Sequence, residues 1–426
     1  MPRKCQTSAT ASVNDLPREI LVYIFTYVKE TETQTNFIQR VARVCKNWQE
    51  AATDITLWSD FDGALPFQDL LLLCEKECFK NIDKLVMGKM KHIPTSSDLE
   101  AVYKSLPCIK SIDFSKALKK LEKGQCNFLT NLIDHCPDLE EIIINSSDSK
   151  STYKPFITPR LFREFLHCRG ERLTSLEFSN VLIINVKNIL VLIAIACPNL
   201  EELIIQHLHK RSTNYLFPIE YMQSCLRKLR ILRLGFPFVY QSAGTYKDTG
   251  FPDLETFAHP SKEDLLDEFY FRKLLDLSPN LTELDVRGCA RLTCTEMCSL
   301  PSRNVRKLYI SHTKLYCSDV FLCILVKWCR NLVLLDISGS KEERINHHFW
   351  WVFHYGNLRR LEILNLNHTL ITTATLRLIL QNCPHLKFLD LRSCNDLSRA
   401  CRKEYKGEES IRKLRIKLNA LEILNI

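Results

Sequence analysis

The chain has 426 residues, 19 of them cysteine, and a formal net charge of +9 at pH 7. The opening residues, MPRKCQTSATASV, carry no secretion signal, so we expect free thiols in a reducing compartment, cytoplasmic and/or nuclear, rather than disulfides. The longest apolar stretch, residues 181–197, is interrupted by Asn185, Lys187 and Asn188 and is too short to span a bilayer. No membrane helix is therefore expected.

After a disordered tail predicted at residues 1–13, residues 14–59 predict a small helical domain. Pro17 and Glu19 suit the first turn of a helix, where a missing amide costs nothing and a carboxylate meets the positive end of the helix dipole. Two apolar stripes follow, formed by Leu16, Ile20, Leu21, Ile24, Phe25 and Val28, and then by Val41, Val44, Cys45, Trp48, Ala51 and the pair Leu57-Trp58. About 45 residues cannot bury all of this surface internally, so part of it should await a partner.

The pattern Leu16-Pro17-x-Glu19-Ile20-Leu21-x-x-Ile24-Phe25, followed by Val44-Cys45-Lys46-x-Trp48 and Leu57-Trp58, resembles an F-box. The resemblance implies docking onto the Skp adaptor of SCF ubiquitin ligases. The adaptor-binding residues that it implies are Leu16, Pro17, Ile20, Leu21, Ile24, Phe25, Val44, Cys45 and Trp48. The alternative for each is an ordinary place in a small helical core, and Trp48 fits that alternative best. The connection from Lys29 to Arg40 is longer than is usual in an F-box and should bulge as a loop.

Residues 60–426 are predicted to form leucine-rich repeats, because the phrase Leu-x-x-Leu-x-(Leu/Ile) recurs about every 28 residues. The first apolar residues of the phrases are Ile82, Ile109, Leu139, Leu173, Leu200, Leu229, Leu254, Leu281, Val305, Leu332, Leu361, Leu386 and Leu421. The Leu254 copy is the weakest, since His259 stands where an apolar residue is expected. Each phrase predicts one short strand. Stacking gives an α/β solenoid with a concave parallel sheet and convex helices.

Cysteines recur at two places in these phrases. Four lie three residues before a phrase, where three of them precede a proline and should end a helix: Cys136, Cys197, Cys329 and Cys383. Cys289 and Cys394 follow a strand, where a small polar group can bond to the turn backbone; Thr313, Ser340 and Thr369 hold the same place. This resembles the cysteine-containing subclass of leucine-rich repeats. With the F-box pattern upstream, the arrangement is similar to the F-box/LRR-repeat family.

A substrate-binding surface is predicted on the concave face, at the positions two, four and six residues after the first apolar residue of a phrase. The predicted residues are Arg233, Glu283, Asp285, Arg287, Lys307, Tyr309, Asp336, Phe388, Asp390 and Arg392. Both charge signs together with aromatic side chains suit a specific protein interface. The alternative for any one of them is a solvated strand position. Two long loops, residues 145–159 and 235–252, could also bind or could be mobile excursions.

The last third of the chain is basic, with 21 Lys and Arg against 11 Asp and Glu in residues 301–426. Part of this charge lies in an insertion at residues 398–417, which predicts a solvated loop or, alternatively, a patch for an acidic protein or nucleic acid. The chain then ends on a predicted strand phrase beginning at Leu421. Because a bare terminal strand exposes unpaired backbone groups, we expect the insertion or a partner to cover it.

The sequence offers little for catalysis. It contains no phosphate-binding Gly-rich loop, and the spacings of Cys74, Cys78, Cys294 and Cys298 do not match a zinc module, so no cofactor, metal or catalytic residue is predicted. The family resemblance implies a non-catalytic substrate receptor, which joins a protein substrate to the cullin and RING subunits through the Skp adaptor. A nucleic-acid partner is not expected for this receptor. The alternative is an interaction scaffold that takes no part in ubiquitin transfer.

Overall fold

A computed structural model describes residues 16–29, 40–41, 43–57, 82–87, 95–115, 128–145, 159–208, 212–235, 238–241, 250–261, 266–315, 321–355 and 358–423. Contacts divide the chain into two compact units, Met1–Val181 (unit 1) and Leu182–Ile426 (unit 2). The predicted tail, Trp58 and most of the connection between residues 29 and 40 lie outside the described residues, and the predicted domain limits stay predictions. No helix in the described ranges is long and apolar enough to cross a membrane.

Unit 1 begins with two helices and continues with strands that alternate with helices. Its helices are α1 (Arg18–Lys29), α2 (Lys46–Ala52), α3 (Ser96–Lys104), α4 (Phe128–His135) and α5 (Pro159–Arg169), with 3-10 turns at Ile55–Leu57 and Gly170–Arg172. Its strands are β1 (Lys84–Val86), β2 (Ser111–Asp113), β3 (Glu141–Asn145) and β4 (Ser175–Ser179). These strands pair in parallel in chain order.

Unit 2 repeats the same alternation. Its helices are α6 (Val186–Ala196), α7 (Ile219–Cys225), α8 (Glu268–Leu275), α9 (Cys294–Ser299), α10 (Phe321–Trp328), α11 (Arg344–Tyr355), α12 (Thr373–Asn382) and α13 (Glu408–Ile423), with a 3-10 turn at Arg399–Cys401. Its strands are β5 (Glu202–Gln206), β6 (Leu216–Pro218), β7 (Ile231–Gly235), β8 (Val239–Gln241), β9 (Thr256–Ala258), β10 (Glu283–Asp285), β11 (Lys307–Tyr309), β12 (Leu334–Asp336), β13 (Ile363–Asn365), β14 (Phe388–Asp390) and β15 (Glu404–Lys406).

One parallel sheet runs through unit 2 from β5 through β7 and β9 to β14, while β6 and β8 form a separate parallel pair. Every strand from β1 to β14, apart from β6 and β8, starts two residues after a predicted first apolar position. In the Leu281 phrase, Leu284 and Val286 are fully buried, as the inward alternation predicts. The leucine-rich-repeat fold is therefore confirmed, including the weak Leu254 copy, which forms β9 and buries His259.

The last predicted phrase is wrong, because Leu421 lies in helix α13 and not in a strand. The chain turns back after β14, so β15 pairs antiparallel with it, Leu389 opposite Tyr405. Gly407 then adopts φ of +79°, a left-handed conformation that suits glycine. The helix α13 buries Ile411, Leu414 and Leu418 at helical spacing.

The basic insertion is thus an ordered strand and helix, and its interpretation as a solvated loop is wrong. Helix α13 contacts β14, β15 and α12, so the insertion covers the β14 end of the parallel sheet. The insertion was predicted to cover a strand at Leu421, and it covers β14 instead. The guanidinium of Arg415 donates hydrogen bonds to the carbonyls of Leu380 (3.1 Å) and Cys383 (2.7 Å) at the end of α12. The cap is therefore held by polar contacts to α12 as well as by apolar packing.

The repeat cysteines take the structural places that their spacing predicts. Cys197 and Cys383 follow the last residues of α6 and α12, and both are buried. The thiols of Cys289 and Cys394 donate to the carbonyls of His259 (3.2 Å) and Leu366 (3.0 Å), each in the neighbouring repeat. The described cysteines are free thiols.

Alkylation should separate the buried helix-end cysteines from the exposed ones. Burial raises the pKa of the Cys136, Cys197 and Cys383 thiols to about 12. Since the thiolate is the reactive form, only about one in 10⁴ of these groups is ionised at pH 8. We expect iodoacetamide to label the exposed Cys323 in the native protein within minutes and to leave these three unlabelled, as measured by peptide mass spectrometry. Urea-unfolded protein is the control, and equal native labelling would contradict the burial.

Candidate functional site

The first candidate site is the solvent-facing side of helix α1. Leu21 and Phe25 are 0% and 1% exposed, whereas Ile20 and Ile24 are 47% and 39% exposed. The exposed apolar side chains follow the spacing i, i+3, i+4, i+7 and i+8, which places them on one face of the helix. We call this set the exposed stripe: Ile20, Tyr23, Ile24, Tyr27 and Val28.

The opposite side of α1 is fixed within unit 1. The rings of Phe25 and Trp48 meet edge to face with centroids 5.3 Å apart. Leu16 accepts a hydrogen bond from the side-chain amide of Asn47 at 3.0 Å. The Arg18 guanidinium reaches the carboxylate of Asp54 at 3.1 Å, next to the Ile55–Leu57 turn. These contacts fix helix α1 against residues 47–54 on the side opposite the exposed stripe.

These positions change the predicted adaptor-binding set. Leu21 and Phe25 are core residues of unit 1, so their prediction as partner-facing side chains is corrected. An amphipathic helix buries one apolar stripe against its own domain, and these two residues form that stripe in α1. Trp48 is half-buried against Phe25, which agrees with its structural alternative, and Cys45 is the residue before α2. Leu16 is half-buried, while Pro17 and Val44 are exposed.

Two residues of the exposed stripe were missed from sequence. Tyr23 and Tyr27 are 61% and 58% exposed, and their hydroxyl oxygens lie 3.0 Å apart. Their spacing from Ile20 and Ile24, three residues in each case, was the signal that could have identified them. Tyrosine offers a large apolar ring with a polar end, which is why it is common at the centre of protein interfaces.

The second candidate site lies on the sheet of unit 2. We call the side chains two, four and six residues after the first apolar residue of each unit 2 phrase the open face. Glu283 on β10 accepts hydrogen bonds from Arg233 on β7 (2.9 Å) and from Lys307 on β11 (3.1 Å). The strand β9 lies between β7 and β10, where Ala258 pairs with Arg233. The small Ala258 side chain leaves room for Arg233 to reach across β9.

A second group adjoins the first on the same strands. Arg287 donates two hydrogen bonds to Asp285, at 2.9 and 2.6 Å, and its guanidinium lies over the Tyr309 ring at 5.2 Å from the centroid. Burial, with Glu283 and Asp285 nearby, raises the pKa of the Tyr309 hydroxyl. Burial alone would raise the pKa of Glu283, but attraction and hydrogen bonds from Arg233 and Lys307 lower it below its ordinary value. The cluster therefore holds an ionised Glu283 and a protonated Tyr309, a combination suited to binding.

The aspartates of the open face have a structural role that the sequence prediction missed. Asp285, Asp336 and Asp390 each accept a hydrogen bond from the backbone N–H two residues later, at 3.2, 3.0 and 3.0 Å. Such a bond closes the turn that leaves the strand. The three side chains are buried, and Glu283 is only 8% exposed, so their prediction as exposed binding residues is corrected. The recurrence of Asp or Asn at this position, as in Asp113 and Asn365, was the available signal.

The predicted residues do not form one cluster. Phe388, Asp390 and Arg392 belong to the β14 phrase, and β12 and β13 separate them from Lys307 and Tyr309. Arg392 pairs with Asp390 at 2.6 Å. Leu334 and Ile363, also missed from sequence, fill the space between the two groups and are half-buried.

Comparison with known proteins concerns the amino-terminal helices first. A family model described as F-box-like matches residues 13–63. The chain carries an F-box-like domain there. The exposed stripe of α1 is part of that domain, and leucine-rich repeats follow it. No curated protein matches the sequence.

Solved structures that are similar to the chain include three at low sequence identity. The Rad7 and Elc1 complex in yeast is 13% identical with a TM-score of 0.46, covering 90% of this chain and 77% of that chain. The TLR13–ssRNA13 complex is 20% identical with a TM-score of 0.41, covering 74% and 44%. The leucine-rich-repeat-containing protein LegL7 from Legionella pneumophila is 13% identical with a TM-score of 0.41, covering 79% and 98%.

Other predicted features lie largely outside these sites. Most of the two long loops, residues 146–158 and 242–249, falls outside the described residues. Among the residues that are described, no group of three or more His, Cys, Asp or Glu side chains could hold a metal ion. The exposed stripe of the F-box-like domain and the open face of unit 2 are the candidate surfaces for partners.

Proposed function

We propose that this protein is the substrate-recognition subunit of an SCF-type E3 ubiquitin ligase. In this proposal the F-box-like domain docks onto the Skp adaptor, and the leucine-rich repeats bind a protein substrate. The observation that carries the proposal is the exposed stripe: five large apolar side chains on one solvent-facing side of α1 in an F-box-like domain. Large apolar side chains that are exposed side by side mark interaction surfaces.

The stripe has the composition of an interface centre. Two tyrosines alternate with Ile20, Ile24 and Val28, and the helix behind them is fixed by Leu21 and Phe25. A rigid helix loses little conformational entropy on binding, so more of the contact energy is available for affinity. Val44, 51% exposed just before α2, adds a further apolar side chain in the same domain.

The proposed mechanism is tethering. The adaptor would join the chain to the cullin and RING subunits that carry the ubiquitin-charged enzyme, while the open face holds the substrate. A substrate lysine then meets the thioester at a high effective concentration. The chain itself would perform no chemistry and need no cofactor, and it would act in the cytoplasm and/or nucleus. We further infer from residues 43–52, RVCKNWQEAA, a similarity to F-box/LRR-repeat protein 6.

Reconstitution tests the proposal without knowledge of the substrate. The full chain is mixed with purified Skp adaptor, cullin and RING subunits, and co-elution in size-exclusion chromatography is measured. Ubiquitin, its activating enzyme and a conjugating enzyme are then added, and ubiquitin transfer to the chain's own lysines is followed. We expect stoichiometric co-elution and adaptor-dependent transfer. No co-elution would refute docking, and co-elution without transfer would favour the interaction scaffold.

A further inference from the structure

The ion pairs of the open face share one asymmetry. In each pair, and in Glu404–Lys406 on the adjoining strand β15, the carboxylate is less exposed than the cation. The exposed fractions of acid and base side chains are 10% and 29% for Glu283–Arg233, 5% and 43% for Asp285–Arg287, 10% and 52% for Glu283–Lys307, 3% and 55% for Asp390–Arg392, and 29% and 71% for Glu404–Lys406. Although the charges nearly balance in number, a partner approaching this face meets cationic hydrogen-bond donors.

Between these cations lies a row of apolar side chains. Leu334, Ile363 and Phe388 pair in register on the adjacent strands β12, β13 and β14, and all three are half-buried on the open face. We call them the apolar strip. In the same register, Lys307 on β11 pairs with Leu334, and Lys406 on β15 pairs with Phe388. The apolar strip is thus bounded at each end by a lysine.

The dimensions of this row set the size of a ligand. Lys307 and Lys406 are separated by four strand spacings of about 4.8 Å, or about 19 Å. An extended peptide rises about 3.3 Å per residue, so about six residues cross from one lysine to the other. We propose that the apolar strip binds an extended protein segment with two or three apolar residues flanked on both sides by acidic residues. As a substrate segment, this ligand rests on the proposed function.

A protein segment fits this surface better than single-stranded nucleic acid does. Nucleic-acid grooves combine cations with aromatic platforms on which bases stack. Here Phe388 is the single aromatic ring of the apolar strip, and its neighbours Ile363 and Leu334 are aliphatic, so successive bases would find no continuous stacking platform. Aliphatic side chains instead favour apolar side chains of a peptide, and carboxylates at its ends complement Lys307 and Lys406.

Charge reversal tests the proposal through the composition of selected ligands. A displayed library of random 12-residue peptides is selected on the full chain, on Lys307→Glu/Lys406→Glu, and on a control variant, Lys104→Glu/Lys413→Glu. Each control lysine is as exposed as its counterpart and also pairs with a glutamate, but it belongs to a helix, α3 or α13, and not to a strand of the open face. Lys104, Lys406 and Lys413 are in exposed pairs, which contribute little to stability, whereas Lys307→Glu places a second carboxylate beside the buried Glu283 and should lower the melting temperature. Thermal unfolding is therefore measured for all three proteins, and selection is carried out well below the lowest unfolding midpoint.

We expect the wild type and the control to enrich peptides with apolar residues flanked by Asp or Glu, and the Lys307/Lys406 variant to enrich Lys or Arg at the flanks. An enriched wild-type peptide, labelled with fluorescein, should bind that variant at least 10-fold more weakly and lose affinity with added salt. Ile363→Asn should also weaken it at least 10-fold. Identical enrichment on both charge variants, no enrichment, or displacement of the peptide by a single-stranded oligonucleotide would overturn the proposal.

Adaptor co-elution separates this inference from the proposed function. The open-face variants keep the exposed stripe, so they should retain the adaptor whatever happens to the peptide. Retained adaptor with no peptide selection would refute only the ligand assignment. Peptide binding without adaptor co-elution would refute only the ligase role.

Discussion

Replacing Ile20 and Ile24 with aspartate is expected to lower adaptor recovery by about 100-fold or more. Both side chains are substantially exposed in the free chain, and docking would bury them. Truncating one such central residue typically costs about 2 kcal/mol of binding free energy, and an unpaired carboxylate in the interface costs more. The measurement is adaptor affinity by biolayer interferometry on the purified full-length variant.

The matched control makes the same change elsewhere. Ile195 on α6 and Ile416 on α13 are 61% and 59% exposed, and neither belongs to the F-box-like domain. Ile195→Asp/Ile416→Asp should bind the adaptor like the wild type. Thermal unfolding of both variants should match, since none of the four side chains is in the core. Equal adaptor affinity of the stripe variant and the control would refute docking through α1.

Acidification is expected to weaken unit 2 through His259. This imidazole is fully buried, with its Nδ1 at 3.0 Å from the Leu234 carbonyl and 3.1 Å from the Tyr240 hydroxyl. Burial lowers its pKa from 6.5 to about 4, and the hydrogen bond to Leu234 opposes only part of that effect. Below pH 6.5 the imidazole of His259 is protonated in the unfolded chain but stays neutral in the folded chain. The free energy of unfolding therefore falls as the pH drops towards 4.

The expected loss is about 3 kcal/mol between pH 7.5 and pH 4. It is measured as the difference between the wild type and His259→Leu in the free energy of urea unfolding, because other titrating groups cancel in that difference. Leucine has the apolar character that the other repeats place at this position. If the difference between the two proteins stays constant across this pH range, His259 is not held neutral by the fold.

The strands were predictable because each depends on its own short phrase and on neighbours with the same phrase. Even the Leu254 copy forms its strand, since the adjacent strands β7 and β10 fix its register and Tyr240 gives His259 a buried partner. The phrase at Leu421 has no free strand edge to pair with at β14, because β15 already occupies it. There the helical spacing of Ile411, Leu414 and Leu418 decides the structure instead.

The sites were predictable only in part, because a periodic pattern gives the face of an element and not what covers it. On α1, apolar residues occupy both sides of the helix. Only the packing of Phe25 against Trp48 shows which side is outward. On the sheet, alternation predicts that Asp285 and Asp390 face away from the helices, but not that each would close its own turn. The cations Arg287, Lys307 and Arg392 are exposed while the acids that they pair with are buried, and a binding role for these residues stays a prediction.

The antiparallel return of β15 limits how the array of repeats could lengthen in evolution or design. Beyond β14 the edge has already been taken by a strand of opposite direction, with Glu404 and Lys406 charged along it. A duplicated repeat appended after α13 would find no parallel template for its backbone. Additional repeats would have to be inserted before β14. The unit formed by β14, β15 and α13 would then still terminate the longer array.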